Sequence, residues 1–321
     1  MTRLVRHTQT SLADTGSLRL RAAWLYHNRG WTQAAIAENL GISRSTVIRM
    51  LDEARSRSEV QIWINPTPGD CTELALSLEA KFGLDEAVVV PGEGAVDDTA
   101  RDVGAALGRF LSEVIADNMV IGATWGRTLN AALQTFRPAQ HKNTRVVSLL
   151  GGILEARSMN PVDFSWQLAS RLNADCMLYL APLLVDSPET KRRLIDQCGL
   201  DRLHDEARKL DLAIISCGDI GPGGTSLSLG FLSQEDRDLI LAAGAVCDAG
   251  CNFLDSEGRD VGQKVSDRVM NVDLDTISKA GHVVLASGGA RRAVAIRATI
   301  LRTGCKTLVT DEAAARALLD L

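Results

Sequence analysis

The chain has 321 residues, of which 45% are hydrophobic and 23% charged, a composition ordinary for a globular protein with more than one domain. It has no apolar run long enough to span a bilayer and no signal-peptide pattern, so we expect a cytoplasmic protein without a membrane partner. Seven scattered cysteines form no CxxC pair, which predicts buried, reduced thiols and neither a metal nor a cofactor.

Charge is distributed unevenly along the sequence. Residues 1–65 hold nine arginines and five acidic residues, a net charge of +4, and because the whole chain carries −5, residues 66–321 carry −9. Nucleic acid attracts the first segment and repels the second. The sequence therefore predicts DNA contacts near the N-terminus and a different task for the remainder.

The N-terminal segment predicts a tail followed by a helix. Residues 1–16 are polar and aperiodic, which is typical of a flexible tail. From Ser17 onward apolar residues recur at helical spacing until residues 28–30, where the helix is expected to end. Its buried face is expected to consist of Leu18, Ala22, Leu25 and Tyr26.

Two shorter helices are predicted next. Thr32 suits the N-cap of the first helix and Gly41 ends it, while Ser43 caps a second helix that runs to about Arg57. The inward-facing residues of the first short helix are expected to be Ala35, Ile36 and Leu40.

The sequence beyond these helices predicts a domain boundary. Val60–Ile64 alternates as a short strand would, and residues 65–70 are dense in turn-forming residues. We therefore predict a DNA-binding domain over residues 17–64, a linker over 65–70 and a second domain over 71–321.

The second domain shows short apolar runs that alternate with helical patterns such as Thr99–Ala116, Thr128–Thr135 and Arg292–Arg302. This alternation is typical of an α/β domain with a mostly parallel sheet. The predicted strands are Glu86–Val90, Met119–Ile121, Arg145–Leu149, Cys176–Leu180, Leu212–Ser216, Ala245–Cys247, His282–Ala286 and Thr307–Val309.

The segment from residue 32 to residue 51 has the pattern of a helix-turn-helix. Ala37 supplies a small residue where two helices cross, and Gly41 tolerates the positive φ of the turn. Val47 and Leu51 fix the second helix, whose opposite face is polar and positively charged. The alternative is a helical hairpin of a larger bundle with a solvated arginine face. The residues expected to contact DNA are Thr32, Gln33, Ser43, Arg44, Ser45, Thr46 and Arg49.

A candidate anion-binding loop follows the predicted strand at residue 121. Ala123 and Gly126 allow a ligand to approach the backbone, Thr124 adds a hydroxyl, and Arg127 adds a fixed positive charge at the start of a helix. The pattern suits a phosphate or another anion, although neither GxxxxGK[ST] nor GxGxxG is present. The alternative is a tight turn with an N-capping threonine.

Other segments supply further candidates. Gly151–Gly152 follows a strand at its carboxyl end, where ligands bind in open α/β sheets, and Ser287–Arg292 joins an apolar strand to a glycine turn and arginines. Asp248 and Asp255 suit sugar hydroxyls, or alternatively serve as caps or turn residues. The complete set of expected effector-binding residues is Ala123, Thr124, Trp125, Gly126, Arg127, Thr128, Gly151, Gly152, Gln167, Asp248, Asp255, Gly288, Gly289 and Arg292.

In this order the motifs resemble the SorC family of bacterial sugar-responsive regulators. The resemblance covers the chain after the tail and rests on the helix-turn-helix and on segments 121–129, 149–152, 246–248 with Phe253 and Asp255, 287–289 and 308–312. It implies a Rossmann-like, doubly wound second domain, similar to sugar-phosphate isomerases and deaminases, that binds sugar phosphates at the Ala123–Thr128 loop. Family members commonly have Lys where Arg292 stands, which keeps the charge but changes the geometry.

The combined pattern predicts a DNA-binding transcriptional regulator of a carbohydrate catabolic operon, with a sugar or sugar-phosphate effector that controls operator affinity. One helix-turn-helix contacts too few base pairs for useful specificity, so we expect dimers on a pseudo-palindromic operator. The resemblance further implies tetramers.

Two alternatives of other classes remain open at this point. A sugar-phosphate isomerase or deaminase with an accessory DNA-binding domain would need a positioned acid or base. None of the five histidines lies in the pocket-like segments, which leaves Asp219 and Asp248 as conceivable bases. A DNA-binding protein without any ligand is disfavoured by the turns of glycine and arginine at the strand ends.

Overall fold

The computed structural model describes residues 12–57, 59–60, 70–92, 96–138, 140–154, 160–220 and 232–321. The chain divides into two compact units, Met1–Asn65 and Pro66–Leu321. Residues 1–11 of the predicted tail, the predicted strand after Val60 and the predicted linker before Asp70 lie outside the described residues. None of the helices in the described ranges combines the length and the apolar character that crossing a membrane requires.

The first unit contains the helices α1 (Leu12–His27), α2 (Gln33–Leu40) and α3 (Arg44–Ser56). Helix α1 begins at Leu12 and not at Ser17, so the prediction of a tail up to residue 16 is wrong for its last residues. Gly16 explains the difference, because glycine costs roughly 1 kcal/mol relative to alanine inside a helix and therefore marks a boundary in sequence patterns.

The turns of this unit follow local rules. The Thr32 hydroxyl accepts a hydrogen bond from the amide of Ala35 at 3.2 Å, and the Ser43 hydroxyl accepts one from the amide of Thr46 at 3.1 Å. Both predicted N-caps are thereby confirmed, and each satisfies one of the unpaired amides at its helix start. Gly41 has a φ of 66°, which confirms the predicted left-handed turn.

Three helices bury a small apolar core. Ala35, predicted to face inward, is exposed, because the buried stripe of α2 runs through Ile36 and Ala37 with Leu40 half-buried. On α1, the predicted Leu18 and Tyr26 are half-buried. The fully buried residues of this core are Ala22, Ala23, Leu25, Ile36, Ala37, Val47, Leu51 and Ala54.

An ion network around the buried Arg19 side chain joins α1 to Glu53 in α3 and to Glu59 beyond it. The Arg19 guanidinium donates to both carboxylate oxygens of Glu59, at 2.7 and 2.5 Å, and to Glu53 at 3.1 Å. The hydrogen bond from Arg19 lowers the pKa of the Glu59 carboxyl. This network is the main polar contact described between the first helix and the residues that follow the third.

The second unit alternates strands with helices. Its strands are β1 (Glu86–Val90), β2 (Val120–Ala123), β3 (Arg145–Gly152), β4 (Asp175–Pro182), β5 (Leu212–Ile215), β6 (Cys217–Asp219), β7 (Cys247–Ala249), β8 (Asn252–Leu254), β9 (His282–Ala286) and β10 (Thr307–Asp311). Its helices are α4 (Asp70–Phe82), α5 (Val96–Val114), α6 (Arg127–Ala132), α7 (Asp163–Leu172), α8 (Pro188–Gln197), α9 (Asp201–Ala207), α10 (Gln234–Ala242), α11 (Gln263–Ser266), α12 (Leu274–Ile277), α13 (Ala293–Thr303) and α14 (Glu312–Leu319).

Seven of the described strands form one parallel sheet in the order β1-β10-β9-β5-β2-β3-β4, which confirms the predicted α/β class. The sheet is covered on both faces. One cluster of buried residues includes Leu149, Ile215 and Leu285, and the other includes Ile121 and Ile214. Burial on both faces explains why the central strands are continuous apolar runs.

The strand order places a switch point between β2 and β5. The chain proceeds from β2 to β3 and β4 on one side, and from β5 to β9 and β10 on the other. In open α/β sheets such a point leaves a crevice at the carboxyl ends of the two strands. The loops after Ala123 and Ile215 therefore face a common opening.

A smaller antiparallel sheet, in the order β6-β7-β8, follows the end of β5. The predicted strand Ala245–Cys247 overlaps β7 only at Cys247, and β6 and β8 were not predicted. Each of these strands has three residues, too few for an alternating pattern to be recognised.

Candidate functional site

The outer face of α3 carries the residues expected to contact DNA. Ser43, Arg44, Ser45 and Arg49 are exposed and Thr46 is half-buried. On the opposite face Val47 and Leu51 pack into the core that α3 shares with α1 and α2, and Met50 is also buried. One side of the helix is therefore buried in the core, and the other side is polar, basic and exposed.

The two remaining DNA candidates, Thr32 and Gln33, lie at the start of α2, and Ser43 lies at the start of α3. The Ser43 hydroxyl, which caps α3, also lies 2.8 Å from the hydroxyls of Ser45 and Thr46. Thr32 is exposed and caps α2, and Gln33 is half-buried at the first position of α2. The hydroxyls and amides of these two helix starts are donors of the kind that bind phosphate oxygens.

In the second unit, a cleft opens at the switch point between β2 and β5. The predicted residues that line it are Trp125, Gly126, Arg127, Thr128, Asp248 and Arg292. It is also lined by Ala100, Ser216, Cys217, Gly218, Asp219 and Gly250, which were not predicted as effector contacts. The structure thus brings together parts of three predicted segments and adds Ser216 and strand β6, which follow β5.

The loops after β2 and β5 are joined to each other. The Thr124 hydroxyl accepts a hydrogen bond from the Ser216 amide at 3.3 Å, and the Thr124 amide donates to the Ile214 carbonyl at 3.0 Å. Thr124 is itself buried, as is Ala123. These two residues hold the walls of the cleft in place and do not line it.

Gly126 shapes the rim of the cleft. Its φ of 145° and ψ of 160° lie in a region that only glycine adopts readily. A Cβ at this position would also lie 3.4 Å from the Cβ of Ser216. This geometry turns the chain directly into α6, where Arg127 is the first residue and stands half-buried at the cleft.

Arg292 enters the cleft from the opposite side. Its Nη1 donates to the carbonyl of Gly288 at 2.9 Å, and its Nε lies 3.6 Å from the Asp219 carboxylate. Only 14% of its side chain is exposed. Arg291 also faces Asp219, at 3.5 Å, but its side chain is 74% exposed. Arg292 is therefore the arginine of this turn that is enclosed at the cleft.

Asp248 supplies a buried carboxylate to the same cleft. Its Oδ1 accepts a hydrogen bond from the Cys251 amide at 2.6 Å across the turn between β7 and β8. Gly250, in that turn, has a φ of 60°, and a Cβ there would lie 2.9 Å from the Thr124 methyl group. Because Gly250 has no side chain, the turn that contains Asp248 can pack closely against Thr124 in the loop after β2.

Several predicted effector contacts do not line the cleft. The Gly151 amide donates to the Met270 carbonyl at 2.8 Å, and a Cβ on Gly151 would lie 2.8 Å from the Ala181 carbonyl. At Gly152 a Cβ would lie 3.1 Å from the Asn160 amide oxygen. Gln167 is exposed on α7. Gly151 therefore permits close backbone packing beside β4, and Gly152 leaves room for the Asn160 side chain.

Asp255 and the Gly288–Gly289 pair also have structural partners. The Asp255 carboxylate accepts hydrogen bonds from the amides of Glu257 and Arg259, each at 2.9 Å, which lower its pKa and close a turn. The Gly289 amide donates to Asp311 at 2.7 Å. Among the described residues that line the cleft, Arg292 is the one that this turn contributes.

The cysteines differ in part from the prediction of uniform burial. All seven are free, but Cys198 is exposed and Cys217 lines the cleft. The hydrogen bond with Cys247 lowers the pKa of the Cys217 thiol, whereas burial raises the pKa of Cys305 to about 12. Within the described part of the chain, no group of three or more His, Cys, Asp or Glu side chains is arranged for a metal ion.

A helix-turn-helix unit joined to an α/β unit with a polar cleft at its switch point defines a ligand-responsive DNA-binding protein. Residues 67–320 match the family described as "Putative sugar-binding domain", and residues 15–63 match the homeodomain-like domain. The chain belongs to this family of sugar-responsive transcriptional regulators, the SorC type, as the sequence motifs predicted.

Proteins similar to this chain match it over nearly its whole length. The chain is 29% identical over 308 residues to the deoxyribonucleoside regulator of Bacillus subtilis, covering 94% of this chain and 97% of that protein. It is 28% identical over 305 residues to the erythritol catabolism regulatory protein EryD of Brucella abortus, covering 94% and 96%. The full-length sorbitol operon regulator SorC of Klebsiella pneumoniae superposes with a TM-score of 0.71 and 25% identity, covering 95% and 99%.

Proposed function

We propose that the cleft binds a sugar or, preferentially, a sugar phosphate, and that this effector controls the affinity of the first unit for the operator of a carbohydrate operon. The observation that carries the proposal is the presence of Arg127 and Arg292 with Asp219 and Asp248 around one cleft. Guanidinium groups bind phosphate oxygens, and carboxylates accept hydrogen bonds from sugar hydroxyls. The cleft therefore offers both kinds of partner that a sugar phosphate requires.

The charge of the molecule supports the same assignment. The segment 66–321 carries a net charge of −9, which repels anions in general. A phosphate must then be held by dedicated donors, and Arg127 and Arg292 are the cations that line the described cleft. The relatives include a deoxyribonucleoside regulator, an erythritol catabolism regulatory protein and a sorbitol operon regulator. Their names support a small polyhydroxy effector without identifying it.

Calorimetry with Arg127→Ala tests the effector site. Sugars and their phosphates are titrated in pairs into the parent and the variant, and operator affinity is measured with and without each ligand. Arg127→Ala should still bind operator but lose its response to the phosphorylated ligand. Arg192→Ala, whose side chain is 65% exposed on α8, is the matched control. The phosphate assignment would be contradicted if Arg127→Ala bound the phosphorylated ligand and responded to it like the parent. It would also be contradicted if the parent bound the unphosphorylated sugar more tightly than its phosphate.

We further propose that α3 enters the major groove, with Arg44 and Arg49 on its exposed face as the principal base-reading cations. Replacing both by alanine should cost about 1–3 kcal/mol of operator-specific binding for each residue that reads a base. A double variant with parental operator affinity would refute the placement of this helix.

We propose that the protein is a regulator and does not turn over its ligand. Both carboxylates of the cleft have partners that suit ligand positioning more than proton transfer: Asp219 faces Arg292, and Asp248 accepts the Cys251 amide. No histidine is among the described residues that line the cleft. Sugar phosphates that raise the melting temperature should therefore be recovered unchanged by NMR after prolonged incubation, and any conversion would contradict this proposal.

A further inference from the structure

Gln33 and Arg44 contact each other across the turn of the helix-turn-helix. Both Nε and Nη2 of Arg44 donate to Oε1 of Gln33, at 3.3 Å in each case. Gln33 is the first residue of α2 and Arg44 the first residue of α3. Recognition helices contact base edges with their N-terminal residues, so this pair lies where α3 would first meet the groove.

The contact uses one edge of the guanidinium and leaves the other edge open to DNA. A guanidinium presents five N–H donors in a planar fork of fixed geometry. Nε and one N–H of Nη2 form the edge that Gln33 accepts. Nη1 and the second N–H of Nη2 form the end edge, which matches the O6 and N7 acceptors of guanine bidentately.

The chemistry of the acceptor matters. Gln33 is neutral, so it orients Arg44 without neutralising the positive charge that DNA attracts. Arg19, by contrast, is held by the carboxylates of Glu53 and Glu59 and is buried in the core. Gln33 is also half-buried, whereas Arg44 is exposed, so the more restricted side chain fixes the more mobile one. Such preordering reduces the rotamer entropy that Arg44 loses on binding.

We infer that Gln33 is a positioning residue for Arg44, and that the pair reads a guanine in the major groove as one coupled unit. This inference rests on the proposed placement of α3 on DNA and adds the identity of the base and the residue that sets the geometry. Gln33 acts through Arg44, and its own amide nitrogen remains a donor for a neighbouring phosphate.

The test uses the full-length chain and a duplex motif that the parent enriches from a fully randomised library. Affinities are measured for the motif and for duplexes with each base pair substituted in turn, using Gln33→Ala, Arg44→Ala and the double variant. Arg44→Ala should remove the preference for guanine at one position. Gln33→Ala should lower that same preference about fivefold to tenfold and leave the other positions unchanged. In the Arg44→Ala background the loss of Gln33 should have little further effect on base preference.

Three further variants make the test specific. Gln33→Met keeps the length of the side chain without its acceptor and should behave like Gln33→Ala. Gln33→Glu keeps the acceptor, so it should retain the guanine preference while lowering affinity for all sequences through repulsion of phosphates. Asn39→Ala removes an exposed amide side chain from the same helix and is the matched control.

Each contrary outcome has a distinct meaning. A uniform loss of affinity in Gln33→Ala, with guanine preference intact, would overturn the positioning role and leave Gln33 as a phosphate contact. A base other than guanine at the Arg44-dependent position would overturn the assigned readout. If neither Arg44→Ala nor Arg49→Ala changes binding to any duplex, the proposed placement of α3 fails and this inference fails with it.

Discussion

The Nε of Arg292 lies 3.6 Å from Oδ1 of Asp219, so a cation expected to hold the effector faces a carboxylate of the same cleft. Arg292→Ala should weaken binding of a phosphorylated effector by about 1.5–3 kcal/mol, because a charge-assisted hydrogen bond in a largely buried position is lost. Binding of the unphosphorylated sugar should change much less. Calorimetry on the two ligands measures the difference, and Arg291→Ala, with a 74% exposed side chain in the same turn, should leave both affinities unchanged. Equal losses for both ligands would contradict a phosphate role for Arg292.

Gly126→Ala should lower both stability and effector affinity. The φ of 145° is strained for any residue with a Cβ, and the expected cost is about 1–3 kcal/mol. Gly218→Ala is the control for stability, because Gly218 lines the same cleft and a Cβ there has no protein atom within 4 Å. Thermal unfolding and calorimetry of both variants check the prediction, and a Gly126→Ala variant as stable as the parent would contradict it.

Asp255→Asn should destabilise the second unit without changing effector affinity. Its carboxylate accepts hydrogen bonds within its own turn and lies outside the described lining of the cleft. Asp248→Asn should instead weaken effector binding, because Asp248 lines the cleft. Melting temperatures and ligand titrations separate the two effects. Weaker effector binding in Asp255→Asn would restore the original expectation that this residue contacts the ligand.

The helix-turn-helix unit should lose stability in acid through Glu59. Because Arg19 lowers the pKa of Glu59 in the folded chain, its contribution is fully present above the ordinary pKa of about 4.3 and is lost as pH falls through the lower folded value. Hydrogen exchange of α1 and α3, corrected for intrinsic rates and followed from neutral pH to about pH 3, should show this loss. Glu59→Gln should weaken protection at neutral pH and flatten the dependence. Glu38→Gln, exposed on α2, should retain the parental profile.

Operator binding should require at least a dimer. A single helix α3 covers too few base pairs for useful specificity, so two half-sites must be bound by two copies. Light scattering at micromolar concentration, with and without operator, should give the mass of a dimer or a tetramer. A monomer under both conditions would contradict the proposed mode of DNA binding.

The sequence predicted more of the first unit than of the cleft in the second unit, and the reason is physical. The helix-turn-helix follows from contacts between residues close in sequence. The hydroxyls of Thr32 and Ser43 accept hydrogen bonds from amides three residues further on, and Gly41 provides the left-handed turn. The strands of the sheet were likewise visible as apolar runs, because both faces of a parallel sheet are buried. Ala35 was placed wrongly because its exposure depends on how α2 packs against its neighbours.

For the effector site, the sequence by itself determined the residue types and the loops that suit an anion, including Gly126, Arg127 and Arg292. Only the tertiary structure decided which of those loops meet. The order of the sheet places β2 beside β5, which brings Ser216–Asp219 to the cleft and leaves Gly151, Gly152, Gln167 and Asp255 elsewhere. Strand order depends on pairing between segments far apart along the chain, and such pairing leaves no periodic pattern in either segment.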